Sequence, residues 1–125
     1  MNKLRRKIIL AAAGLAGVLL GASLFRMSPV RAQGSAREFT IKASQFAFAP
    51  VRIEVQKDDL VKISFTASDI AHSFTLDQYR IAKRAGAGQT VVFEFRADQP
   101  GTHRFYCNLT QDDRCSRMEG QLVVR

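Results

Sequence analysis

Thr90-Val91-Val92-Phe93-Glu94-Phe95-Arg96, followed shortly by Pro100-Gly101-Thr102-His103-Arg104-Phe105-Tyr106-Cys107, is the part of the chain that decides the fold class. Val91, Phe93 and Phe95 recur every second residue, and Phe105 and Cys107 resume the same period after the Pro-Gly turn. Side chains two residues apart share one face of an extended strand, so each run offers one apolar face to a core. Outward from this pair the pattern repeats. Phe39 and Ile41 alternate with polar neighbours, as do Val51, Ile53 and Val55. Leu60, Val61, Ile63 and Phe65 follow a Lys57-Asp58-Asp59 turn, then come Phe74 and Leu76, and the chain closes on Leu122-Val123-Val124. About seven short strands separated by turn residues predict an all-β antiparallel sandwich or barrel. Nine Phe and no Trp supply the bulk of its core.

The chain has 125 residues and a net charge of +8, room for one domain. Six of the basic residues (Lys3, Arg5, Arg6, Lys7, Arg26, Arg31) lie before position 33, where there is no acidic residue. The other 13 basic residues face 11 acidic ones, so the remainder carries about +2. The basic character belongs to the leader, and a nucleic-acid partner is set aside.

The leader has a basic start, an apolar run from Ile8 to Phe25, and Pro29-Val30-Arg31-Ala32 before a cut after Ala32. That arrangement is an export signal over residues 1–32, leaving a domain over 33–125. Its apolar run of about 18 residues also reaches the length that spans a bilayer, so a retained N-terminal anchor helix is the alternative. A membrane is expected as a partner only in that second case. On either reading the domain works outside the cytoplasm, periplasmic or otherwise extracytoplasmic. There two cysteines pair by default as a disulfide, here Cys107 with Cys115.

Chemistry-bearing residues are few. His72 begins a strand after the turn Ser68-Asp69-Ile70-Ala71. His103 precedes Cys107 by four residues, roughly 13 Å along a strand, too far to share a ligand shell, and is read as structural. Cys107, Cys115 and Met118 cluster just before the last strand. Two sulfur donors, a thioether and one imidazole from another strand form a soft-ligand set that suits copper. Asp112-Asp113 reads as a solvated loop tip, because copper does not select hard oxygens. The polar stretch Thr110 to Met118 has room for a helical turn. No nucleophile–base–acid arrangement, paired carboxylates or phosphate loop is present, so the chain is not expected to be an enzyme. Gly86-Ala87-Gly88 is a turn with no helix after it.

Ala71-His72-Ser73-Phe74, Pro100-Gly101-Thr102, Phe105-Tyr106-Cys107 and Met118-Glu119-Gly120 resemble the cupredoxins, and are most similar to the copper-A domain of cytochrome c oxidase subunit II and related small cupredoxin-like proteins. The resemblance covers roughly residues 60–125 and implies a Greek-key sandwich of about seven strands. In the binuclear copper-A motif a Cys is followed by Cys at +4, His at +8 and Met at +11. The corresponding residues here are Cys107, Gln111, Cys115 and Met118, with His72 as the upstream His. Gln111 removes the second bridging thiolate, so a binuclear centre is not expected. Cys115 replaces the second His, so an ordinary blue-copper centre is not expected either. Two expectations stand side by side. One is a single copper ion at His72, Cys107, Cys115 and Met118, serving electron transfer or copper handling with a redox or copper-transfer protein partner. The other is a metal-free binding or assembly module stapled by a Cys107–Cys115 disulfide.

Overall fold

The computed structural model describes residues 34–125, so the expected leader lies outside the described residues. Nine strands run β1 (Ala36–Ser44), β2 (Ala47–Ala49), β3 (Arg52–Val55), β4 (Leu60–Ala67), β5 (His72–Leu76), β6 (Ile81–Ala85), β7 (Thr90–Arg96), β8 (Gly101–Tyr106) and β9 (Glu119–Val124). Two short 3₁₀ turns, Asp77–Tyr79 and Cys115–Arg117, complete the elements. Among the described residues no helix is long and apolar enough to cross a membrane.

The strands form two sheets, β2-β1-β4-β7 and β3-β9-β8-β5-β6. The all-β sandwich expected from the alternation is what forms, with two differences. Among the described residues there are nine strands rather than about seven. Ala47–Ala49 is too short to show a period, and Ile81–Ala85 is an edge strand whose middle three residues are exposed. The sheets are also mixed rather than purely antiparallel, because β1 pairs parallel with β4 and β3 pairs parallel with β9. The remaining pairs (β1/β2, β4/β7, β5/β6, β5/β8 and β8/β9) are antiparallel. Period two reveals which face of a strand is buried but not its neighbour or direction. Pro50 separates β2 from β3, since it has no N–H to continue a ladder. The chain changes sheets there, and Val51 is left exposed instead of joining Ile53 and Val55 in the core.

The core lies between the sheets and is organised by phenylalanines. Phe74 and Phe105 stack with ring centroids 4.8 Å apart, and Phe48 meets Phe105 edge-on at 5.1 Å. Phe65 and Phe93 flank Phe74 at 5.9 and 5.4 Å. At the margin, buried Asp59 accepts the backbone N–H groups of Ser35 and Gln56, each at 2.8 Å, which fixes the start of β1 beside the turn before β4. Gly120 is required in β9, because a Cβ there would run into the Phe105 ring and the Val51 carbonyl.

Candidate functional site

His72 opens β5 directly after the Ser68–Ala71 turn, and its side chain is fully buried. Its Nε2 lies 2.7 Å from Oδ1 of Asp69. The same carboxylate accepts the Gln45 N–H on Oδ2 and the Ile70 N–H on Oδ1, both at 2.7 Å. Those two backbone donors, then the His72 hydrogen bond, hold the Asp69 carboxyl far below the usual carboxylate range. An ionised carboxylate can only accept, so the shared proton sits on Nε2. In the neutral ring Nδ1 then carries a lone pair. Nδ1 is buried and has no hydrogen-bond partner among the described residues.

The β1–β2 hairpin reaches His72 through its two turn residues. Gln45 and Phe46 both take left-handed backbone conformations, φ 51° and 58°, as a two-residue hairpin turn of the I′ kind requires. Neither is glycine, so the turn carries strain, and the Gln45 N–H to Asp69 bond helps to offset it. Phe46 stands edge-on to the His72 ring at 5.7 Å, and the Arg114 guanidinium lies over the Phe46 ring, 4.1 Å from its centroid. Arg114 is in turn paired with Asp112 at 2.7 Å, which draws the Asp112 carboxyl down to about 2.

Cys107 follows the last residue of β8 and is buried, its N–H directed to the Met118 carbonyl at 3.4 Å. Cys115 starts the second 3₁₀ turn, within the stretch where a helical turn was expected. The Cys115 N–H bonds the Asp112 carbonyl at 3.1 Å, and the Met118 N–H bonds the Cys115 carbonyl at 3.0 Å. Cys107 and Cys115 form a disulfide with Cα atoms 5.2 Å apart. The Leu109 N–H points at Cys115 Sγ, 3.2 Å away. Met118 is buried immediately before β9.

β5 and β8 are paired through Thr75 and Tyr106. Beyond that pair a clasp continues the contact: Ser73 Oγ donates to Asn108 Oδ1 at 2.7 Å and receives the Asn108 N–H at 2.8 Å. The residues next to His72 and to Cys107 are thereby tied together, so both reach one end of the sheet. A surface cavity of about 270 Å³ opens at this end, lined by Phe46, Ile70, Arg84, Leu109, Gln111 and Cys115 among others. Among the described residues no three His, Cys, Asp or Glu side chains are grouped to hold a metal, and no cysteine is free. His103 is apart from this end, with Nε2 2.7 Å from the Gln99 carbonyl and its ring edge-on to Tyr79. Asp113 contributes only its carbonyl, to the Ser116 hydroxyl.

Residue types alone did not single out Asp69, Phe46 or the Ser73–Asn108 clasp. Asp69 had one available signal, a carboxylate in the turn three residues before His72. Phe46 and the clasp join segments distant in sequence, and only their packing displays them.

The model of the Cupredoxin-like domain family matches residues 17–124. Among solved structures, auracyanin A, a "blue" copper protein from the green thermophilic photosynthetic bacterium Chloroflexus aurantiacus, superposes with a TM-score of 0.62 at 18% identity, covering 72% of this chain and 99% of that one. The periplasmic domain of subunit II of cytochrome oxidase from Bradyrhizobium japonicum gives 0.62 at 15% identity, covering 79% and 88%. The metal-binding domain of the Cu(I)-exporting P-type ATPase of Streptococcus pneumoniae, solved with Cu(I), gives 0.60 at 17% identity, covering 76% and 99%. At these identities the likeness is one of fold.

Proposed function

Because this chain belongs to the cupredoxin-like domain family, we propose that it is an exported copper-handling protein which, in its dithiol form, holds one copper ion at His72, Cys107, Cys115 and Met118. The observation that carries this reading is the buried, unpartnered Nδ1 of His72. An unpaired buried nitrogen costs about 1–3 kcal/mol. Asp69 on the opposite ring nitrogen is the arrangement that fixes and orients a metal-binding imidazole. Two thiolates, a thioether and an imidazole are a soft donor set, which favours Cu(I) over harder ions. Copper would supply a soft Lewis-acid and one-electron centre. The protein's part is to fix the His72 ring through Asp69, to tie Cys107 to β5 through the Ser73–Asn108 clasp, and to exclude water with Phe46.

The role is binding and transfer rather than catalysis, with a copper-transfer or redox protein as partner and an extracytoplasmic site of action. Residues 1–32 serve as the signal or anchor and 33–125 as the working domain. The second reading, a metal-free module, is favoured by one observation, the Cys107–Cys115 disulfide.

The test is uptake of Cu(I) by the reduced, folded protein in competition with a chromophoric Cu(I) chelator. One equivalent bound, lost in His72→Gln, is the expected result. No uptake by reduced protein that remains folded leaves the metal-free module.

A further inference from the structure

The disulfide and the cavity beside it bear on how such a site would be loaded. Both thiol sulfurs of the proposed donor set are consumed by one bond, and a disulfide sulfur is no thiolate ligand. The two sulfurs are not equivalent. Both are buried, but Cys115 lines the surface cavity together with Ile70, Arg84 and Leu109, whereas Cys107, at the end of β8, is not part of its wall. Ile70 is exposed at the rim. The Leu109 N–H directed at Cys115 Sγ is a donor that a thiolate would use, since hydrogen bonds to an ionised acceptor are about twice as strong as neutral ones.

We infer that Cys107–Cys115 is a redox gate on the copper site, opened by a dithiol reductant that attacks Cys115 through this cavity. The inference rests on the copper reading of the same residues. A thiolate of the reductant bonds to Cys115 Sγ. The Cys107–Cys115 bond breaks, and its electron pair leaves on Cys107 as a thiolate. The reductant's second thiolate then attacks its own sulfur in the mixed disulfide and expels Cys115 as a thiolate, received by the Leu109 N–H. Two electrons pass from the reductant, which ends as a disulfide, and its two thiol protons are transferred to Cys107 and Cys115. Those protons leave when the thiols become ligands. The sequence of events is therefore fixed in class: a thiol–disulfide exchange must precede metal uptake, and reoxidation of the pair expels the ion.

Two measurements on the exported, folded protein test this. In the first, the oxidised protein is exposed briefly to glutathione, a monothiol whose first attack forms a mixed disulfide, with iodoacetamide present to cap the released thiolate before it expels the glutathione, and is mapped by peptide mass spectrometry. The expected product carries glutathione on Cys115 and carbamidomethyl on Cys107. Glutathione chiefly on Cys107, or no adduct on the folded protein, overturns the route. In the second, Cu(I) uptake from a chelator is compared before and after reduction with dithiothreitol and removal of the reductant. Uptake by the reduced form alone is expected. Equal uptake by both forms overturns the gate but leaves copper binding standing. Uptake by neither form overturns the copper reading, while the glutathione map still decides which sulfur is attacked.

Discussion

Asp69 Oδ1 lies 2.7 Å from His72 Nε2, and the other ring nitrogen is buried without a hydrogen-bond partner among the described residues. The carboxylate is itself held by two backbone N–H groups, one from Ile70 beside it and one from Gln45 in the opposite sheet's hairpin. A change at Asp69 therefore acts on the tautomer and aim of His72 without replacing a proposed ligand.

Asp69→Asn should weaken Cu(I) binding by the reduced protein about 10–100-fold, the usual effect of removing such a partner. Chelator competition reads this directly. The same substitution should leave the rate of disulfide reduction close to wild type, which separates an effect on His72 from general loosening.

The disulfide should contribute about 2–3 kcal/mol to stability through its eight-residue separation, on the chain-entropy account. Cys107→Ser/Cys115→Ser should lower the urea midpoint correspondingly, and added reductant should move the wild type toward the variant while leaving the variant unchanged.

Asp59 gives the domain an acid limit. Its carboxyl lies below the ordinary range because the Ser35 and Gln56 N–H groups donate to it. A folded-state value below the unfolded one, about 3.9, stabilises the fold fully above that pH. The contribution is lost as pH falls through the folded value, and Asp69 acts in the same direction. Asp59→Asn should cost about 1–3 kcal/mol at neutral pH, since its NH₂ faces a donor it cannot accept from. Its urea midpoint should also fall less steeply than wild type below pH 4.

Gly120→Ala should destabilise by about 1–3 kcal/mol, the cost of forcing a methyl into a packed core. The added Cβ meets the fully buried Phe105 ring and the Val51 carbonyl. Thermal unfolding of the oxidised protein measures this, with the partner change Phe105→Leu expected to recover part of the loss.

By itself the sequence determined that this is a β-sandwich and most of the side chains that fill it, Val51 and Leu60 being exposed exceptions. Alternation such as Val91, Phe93 and Phe95 acts within one strand, where burial of one face outweighs every other local preference. It also placed Cys107, Cys115 and Met118 in one short segment, a proximity that needs no folding to exist. Tertiary structure decided what each strand lies against. The parallel β1/β4 and β3/β9 pairs join segments whose own patterns are indifferent to direction. It also decided the chemistry around His72. Asp69, Gln45, Phe46 and Arg114 converge only because the β1–β2 hairpin folds over the turn before β5. The two cysteines meet because the end of β8 and the 3₁₀ turn before β9 are held side by side by the bonds between Cys107 and Met118 and between Met118 and Cys115. The strand pairings and the hairpin's contacts at His72 are long-range, and their free energy depends on distances between chain segments that residue order leaves unspecified.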